Sequence, residues 1–247
     1  MSLEDKRFYS HVFRLVMPMA VQNLINVGVT STDVIMLGKV GETALSGVSL
    51  ANQIYFILSL LYFGLTSGAC VLTAQYWGKK DTRTIEKVMG MSFRISILAG
   101  IVFAAAAFFF PYQLMRIFTA DEAVIAAGVS YLKIVAFSYV LSAFTNVYLN
   151  IIRSIEQVVI ATVVYGTSLA ANIVLNAIFI FGLFGAPAMG AAGAALGTLC
   201  SRAVEVVIVV FYAVKINHVV KIRFKDWFVK DKSAFKGFLY LCFTLCF

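Results

Sequence analysis

Acidic side chains are scarce in this chain, with 12 Asp and Glu in 247 residues, and only two histidines, His11 and His218, accompany them. The histidines lie far apart near segment ends, and no Ser/His/Asp or Cys/His grouping is visible, so the sequence offers no set of catalytic residues. The four cysteines, at 70, 200, 242 and 246, sit inside apolar stretches without metal-ligand spacing, which argues against a zinc site or a disulfide framework. They read as small core residues. Charge of either sign is thin: 13% of residues are Asp, Glu, Lys or Arg, against about 25% in soluble domains. Apolar residues are abundant, at 61% hydrophobic with a mean hydropathy of +0.91. This is the composition of an integral membrane protein. The net charge of +8 does not point to nucleic acid, because seven of the 20 basic residues fall within 215–236, directly after an apolar span.

The rest of the chain is organised around residues 15–38, LVMPMAVQNLINVGVTSTDVIMLG. Between Arg14 and Asp33 lie 18 residues without a charge, close to the roughly 20 that a helix needs to cross a hydrocarbon core. At about 100° per residue, Gln22, Asn26, Thr30 and Asp33 fall within about 80° of one another, while Leu24, Ile25, Val34 and Ile35 point elsewhere. A polar stripe of this kind does not face lipid. An acid at a helix centre costs ~2.5–3.5 kcal/mol on insertion scales, so an intramembrane carboxylate faces a wet cavity or a partner. Asp33 therefore reads as a proton or cation site lining an interior cavity.

Lys6, Arg7 and Arg14 form a basic start that places the N-terminus in the cytoplasm, with Pro18 in the first turns of the span. A short outer turn at 39–43 leads into a second span over 44–77, where Ser46, Ser49 and Gln53 share a face near the outer end. Lys79, Lys80, Arg83 and Lys87 mark the next connection as cytoplasmic. A third span over 88–110 ends at Pro111, and an external loop follows with Arg116 opposed by Asp121 and Glu122. The fourth span, 124–152, carries Tyr139, Ser142, Asn146 and Asn150 within about 80° of arc. In the fifth, 158–184, Tyr165, Ser168, Asn172 and Asn176 recur at helical spacing. GAPAMG makes a tight outer turn into a sixth span, whose Gly190, Gly193 and Gly197 read as close helix packing. Arg202 and Glu205, three residues apart, read as a pair that lowers their mutual burial cost. Trp227 and Phe228 suit a headgroup position inside the basic segment. After Lys236, GFLYLCFTLCF is too short to cross a bilayer.

Several stretches together resemble the N-terminal half of a multidrug and toxic compound extrusion (MATE) transporter: MPMAVQNLIN…STDVIMLGKVG, TAQYWGKKD, the NIIRS end of the fourth span, NIVLNAIFIFG and MGAAGAALGTLCSRAVE. The resemblance covers residues 10–247. It implies an all-α integral membrane fold: a six-transmembrane-helix lobe, one half of a twelve-helix transporter, plus the start of a seventh helix. The map it implies is a lobe at 1–214, a cytoplasmic basic connecting segment at 215–236 and a truncated start of helix seven at 237–247. The activity it implies is export of small cationic or amphipathic drugs by alternating access, coupled to entry of H+ or Na+, from a multi-pass position in the cell membrane and without a cofactor. Asp33, Asn26, Asn172, Asn176 and Thr198 match the family's proton or cation site. Related branches place a second acid where this chain has Asn176, which leaves Asp33 as the site's titratable group. Gln22, Gln53, Tyr139, Asn146 and Tyr165 are the expected substrate-cavity residues.

Two alternatives belong beside this reading. A lipid-linked oligosaccharide flippase of the same superfamily would line its cavity with several basic residues, of which this chain offers few. A non-transporting membrane interaction module would pair the lobe with another chain. Either the missing C-terminal lobe follows in the same polypeptide or a homodimer supplies it, and a single lobe alone is not expected to transport.

Overall fold

The computed structural model describes residues 3–217 and 219–220. Among these residues seven α-helices follow in order: α1 (Leu3–Val40), α2 (Glu42–Gly78), α3 (Thr82–Phe109), α4 (Pro111–Phe118), α5 (Glu122–Ser154), α6 (Val159–Phe181) and α7 (Ala191–Lys215). Five of them, α2, α3, α5, α6 and α7, are long and apolar enough to cross a membrane. The 38-residue α1 carries the uncharged run read above as the first span. In such a bundle the backbone polar groups of the helix interiors bond within their own helices, as a hydrocarbon environment demands, the exception in α1 being the carbonyl that faces Pro18, which has no N–H to donate.

The central helix is α5, packed on α2, α3 and α7, while α6 lies against α7 and α1 against α6. Two apolar clusters fill the interior. Ile85, Phe93, Tyr148, Ile152 and Val209 belong to one end of the bundle, and Leu37, Leu58, Tyr139, Met115 and Ile180 to the other. Large apolar side chains such as Phe63, Phe109, Phe137 and Val207 remain exposed on the outside. An apolar exterior of that kind suits lipid, not water.

The links between helices are short and use recognisable chemistry. Gly41 alone joins α1 to α2, with φ 149° in the region open to glycine. At the start of α3, Asp81 accepts from the Thr84 amide at 3.0 Å and from the Thr84 hydroxyl at 2.6 Å, an N-cap. Those bonds hold the Asp81 carboxyl below the usual carboxylate range. The cap is therefore charged at neutral pH, and its contribution is lost only as pH falls through that lowered value. Asp121 caps α5 in the same way, accepting from the amides of Ala123 and Val124.

Several sequence expectations shift at the boundaries. The basic start is already helical from Leu3, so Pro18 lies inside α1 and not in its first turns. Its carbonyl accepts a 3.4 Å bond from Thr162 Oγ1 of α6. Because Asp81 provides a cap, α3 begins at Thr82, six positions before the expected 88. The expected external loop after Pro111 contains α4, which has proline at a tolerated first-turn position and buries Pro111 and Met115 against α5. Helix α6 stops at Phe181 because Gly182 turns left-handed, and a 3-10 turn at Leu183–Gly185 follows. Gly190 is not a packing residue of the sixth span but the turn residue before α7, with φ 53°. The expected helix-seven start, Trp227 and nearly all of the basic segment lie outside the described residues.

Candidate functional site

The polar stripe of α6 and the acid of α1 meet. Asn176 Nδ2 donates to Asp33 Oδ1 at 2.5 Å and to Asn172 Oδ1 at 3.1 Å. Both asparagines are buried and Asp33 is half-buried. The helical spacing of four that put Asn172 and Asn176 on one face is thus the spacing that lets one amide bridge to the other and onward to the carboxylate. Asn176 Oδ1 is buried and has no partner among the described residues.

What brings α6 and α7 close enough to seat Asn176 is the absence of side chains on α7. A Cβ at Gly197 would stand 2.0 Å from Asn176 Oδ1, and one at Gly193 would stand 2.3 Å from the Phe179 carbonyl oxygen. Both expected packing glycines therefore have the role assigned to them.

Asp33 opens onto a cavity of about 690 Å³ between α1, α2, α5, α6 and α7. Gln53, Asn146, Tyr165, Asn172 and Thr198, all expected from the sequence, line it. Ser49 does as well, so the polar face of α2 does reach the surroundings of Asp33. Asn146 turns its amide back on its own helix, donating to the Ser142 carbonyl at 2.9 Å, as Asn150 does to the Asn146 carbonyl at 2.8 Å. Arg153 in turn donates to Asn150 Oδ1.

Two expected cavity residues lie elsewhere. Gln22 is buried between helices, its Nε2 donating to the Val158 carbonyl at 3.2 Å and to Thr162 Oγ1 at 3.0 Å. It fastens α1 to the start of α6. Gln22→Ala is accordingly expected to lower stability by about 1 kcal/mol, the scale of such interhelical bonds, and to leave cavity ligand affinity unchanged; thermal unfolding and dye titration in detergent measure the two. Tyr139 is also fully buried, stacked on Tyr55 with centroids 5.6 Å apart, and its carbonyl accepts from Tyr62 Oη at 3.0 Å. Its stripe fails there because α5 is central, so that this part of the polar arc faces α2 and not the cavity. Asn26 lies on α1, and its side chain is outside the described residues.

Sequence reading missed Asn52 and Tyr131, which line the cavity and are joined by a 3.1 Å bond from Tyr131 Oη to Asn52 Oδ1. Asn52 adjoins Gln53, three positions after Ser49, and that spacing was the available signal. Arg202 and Glu205 form the expected pair at 2.7 Å, but they do so on the cavity wall.

Comparison with known proteins adds to this geometry. A family model described as MatE matches residues 18–178. The probable multidrug resistance protein NorM of Thermotoga maritima is 27% identical over 194 residues, which is 77% of this chain and 41% of the relative. The multidrug resistance protein NorM of Vibrio cholerae is 24% identical over 227 residues, 92% of this chain and 50% of the relative. A solved structure, described as the outward-facing conformation of a multidrug resistance MATE family transporter of the MOP superfamily, superposes with a TM-score of 0.85 at 23% identity, covering 96% of this chain and 51% of that one. The chain thus spans half or less of the length of these relatives.

Proposed function

The chain belongs to the MatE family, and from that premise we propose that it supplies one helical lobe of a drug exporter, in which Asp33 exchanges H+ or Na+ as the compound moves out. The observation that carries the proposal is the hydrogen-bonded chain Asn172–Asn176–Asp33, whose two ends, Asn172 and Asp33, line the cavity. An ionised Asp33 accepts a charge-assisted bond from Asn176. Protonation turns one carboxyl oxygen into a donor and weakens that bond, so loading the acid loosens the tie between α1 and α6. For Na+, the oxygens at hand are those of Asp33, Asn172 and Thr198, together with the unpartnered Asn176 Oδ1. Gln53, Asn146 and Tyr165 offer hydrogen bonds and an aromatic face to a small cationic or amphipathic compound.

The test is efflux of a cationic dye from vesicles containing this lobe together with the second lobe of the exporter, driven by an imposed proton gradient and, separately, by a sodium gradient. Asn176→Ala is expected to slow coupled efflux about tenfold, the scale of one hydrogen bond to a charged group, and the Asn172→Ala, Asn176→Ala double variant to slow it further. Unchanged efflux in all of these variants would reduce the stripe to helix packing.

The proposed orientation places the N-terminus and the Lys79–Lys87 connection in the cytoplasm, following the concentration of basic residues there. A single cysteine introduced at Asp121 is then expected to react with an impermeant reagent added outside intact cells. Reaction only from the cytoplasmic side would invert the topology.

A further inference from the structure

Helix α3 stands apart from the cavity, to whose lining it contributes no residue, and packs on α2, α4 and α5. The first half of the helix is closed in, with Val88, Met89, Met91, Ser92 and Phe93 all buried. The next residue, Arg94, is exposed. From there one face turns outward, because positions 94, 98, 101 and 102 recur at helical spacing. Leu98, Ile101 and Val102 are 61%, 50% and 58% exposed, and Phe108 and Phe109 continue the apolar face to the end of the helix. A guanidinium thus heads an otherwise apolar strip on a helix long and apolar enough to cross a membrane.

Arg94 lies inside the span expected at 88–110, yet the uncharged run of this part of the chain starts only after it, at Ile95, and lasts to Met115. At a helical rise that run extends about 31 Å, matching a hydrocarbon core of about 30 Å. Arg94 therefore stands at the edge of the core, where its stem can carry the charge to the headgroups. No described residue gives it a hydrogen bond or an ion pair. The acids before it on the chain are engaged, Glu86 with Arg83 and Asp81 with Thr84. Lys87, two turns earlier on the same face, adds a second cation.

The anion available at that depth is a lipid phosphate, whose oxygens suit the arginine fork. We propose that Arg94 is the headgroup site of an anionic phospholipid, with the phosphate on the guanidinium and the acyl chains along Leu98, Ile101 and Val102. Choline or ethanolamine would bring a further cation toward Arg94 and Lys87, so a headgroup without one is favoured. In the orientation proposed above this is the cytoplasmic leaflet, the one with a negative surface potential. The site is independent of what the cavity carries.

The test uses the full-length, two-lobed exporter with Leu98→Trp, reconstituted in vesicles of phosphatidylglycerol and phosphatidylcholine with bromine on the acyl chains of one lipid or the other. Bromine quenches the added indole on contact, read as the difference from protein without the substitution. Phosphatidylglycerol is expected at this position about fivefold above its share of the bilayer, the scale of one cation at a lipid surface. Adding Arg94→Gln returns the ratio to about one, and Arg94→Lys keeps part of the preference. Phe108→Trp, about 21 Å further along α3, shows no preference with or without Arg94. Val102→Trp takes the place of Leu98→Trp if the latter does not fold.

Equal quenching by the two lipids at Leu98→Trp overturns the proposal, as does a preference that survives Arg94→Gln. The same preference at Phe108→Trp would mean a general attraction of anionic lipid to a basic protein and overturns it too. Quenching by neither lipid would mean that protein, a second copy included, covers this face, which is equally fatal to the site. All of these outcomes leave the exporter reading in place.

Discussion

In the full-length, two-lobed exporter, Asp33→Asn is expected to reduce ion-coupled efflux by at least about a hundredfold, the equivalent of ~2.7 kcal/mol, in a protein that still inserts and folds. Asparagine is close in size to aspartate, and its carbonyl oxygen can still accept from Asn176 Nδ2, so the link between α1 and α6 persists. What disappears is the capacity to gain and lose a proton, or to neutralise a sodium ion. Binding of a cationic dye need not vanish with it, because Gln53, Asn146 and Tyr165 remain on the cavity wall. Dye efflux from vesicles containing both lobes, under imposed proton and sodium gradients, is the measurement. A well-folded Asp33→Asn protein whose efflux matched that of the unaltered one under both gradients would remove Asp33 from the mechanism.

Gly193→Val is expected to produce the largest loss of stability of any single change on α7, about 3 kcal/mol or more. The obstacle is backbone: a Cβ there would lie 2.3 Å from the Phe179 oxygen and 2.5 Å from its carbonyl carbon, with the Ile180 nitrogen at 2.9 Å. No rotamer change relieves such contacts, so α6 and α7 must separate. Gly166→Ala on α6 is the control, since its Cβ would meet only Ile25 Cδ1 at an ordinary 3.9 Å. Thermal unfolding in detergent distinguishes the two. A Gly193→Val protein as stable as the unaltered one would mean that the helices are less closely apposed than described.

The sequence carried the helical fold and part of the site for physical reasons that differ between residues. An intramembrane acid is expensive wherever it sits, so Asp33 announced itself without any knowledge of its neighbours, and the period of a helix was enough to join Asn172 to Asn176. Gln22 and Tyr139 show the limit of that reasoning. A polar arc on a helix identifies the side that avoids lipid, but the buried side of a helix can face another helix as readily as a cavity. That choice belongs to packing: α5 is surrounded on several sides, and α1 leans on α6. Arg202 and Glu205 were legible as a pair because their spacing is local. Their place on the cavity wall was not, since it depends on α7 meeting α1 and α5. The short helix after Pro111 was hidden in a segment whose charges suggested an exposed loop, although proline at its first position is a helix-start signal.

The single-residue corner at Gly41 has a mechanical consequence. With no other residue between α1 and α2, a change of angle between them at that end is accommodated by the φ and ψ of one glycine. Asp33 lies eight residues back along α1, a lever arm of about 12 Å. A rotation of about 10° at the corner therefore carries the Asp33 backbone roughly 2 Å, comparable to the difference between a made and a broken hydrogen bond. The position of the charged group relative to α6 is thus geared to two torsion angles that lie outside the cavity altogether.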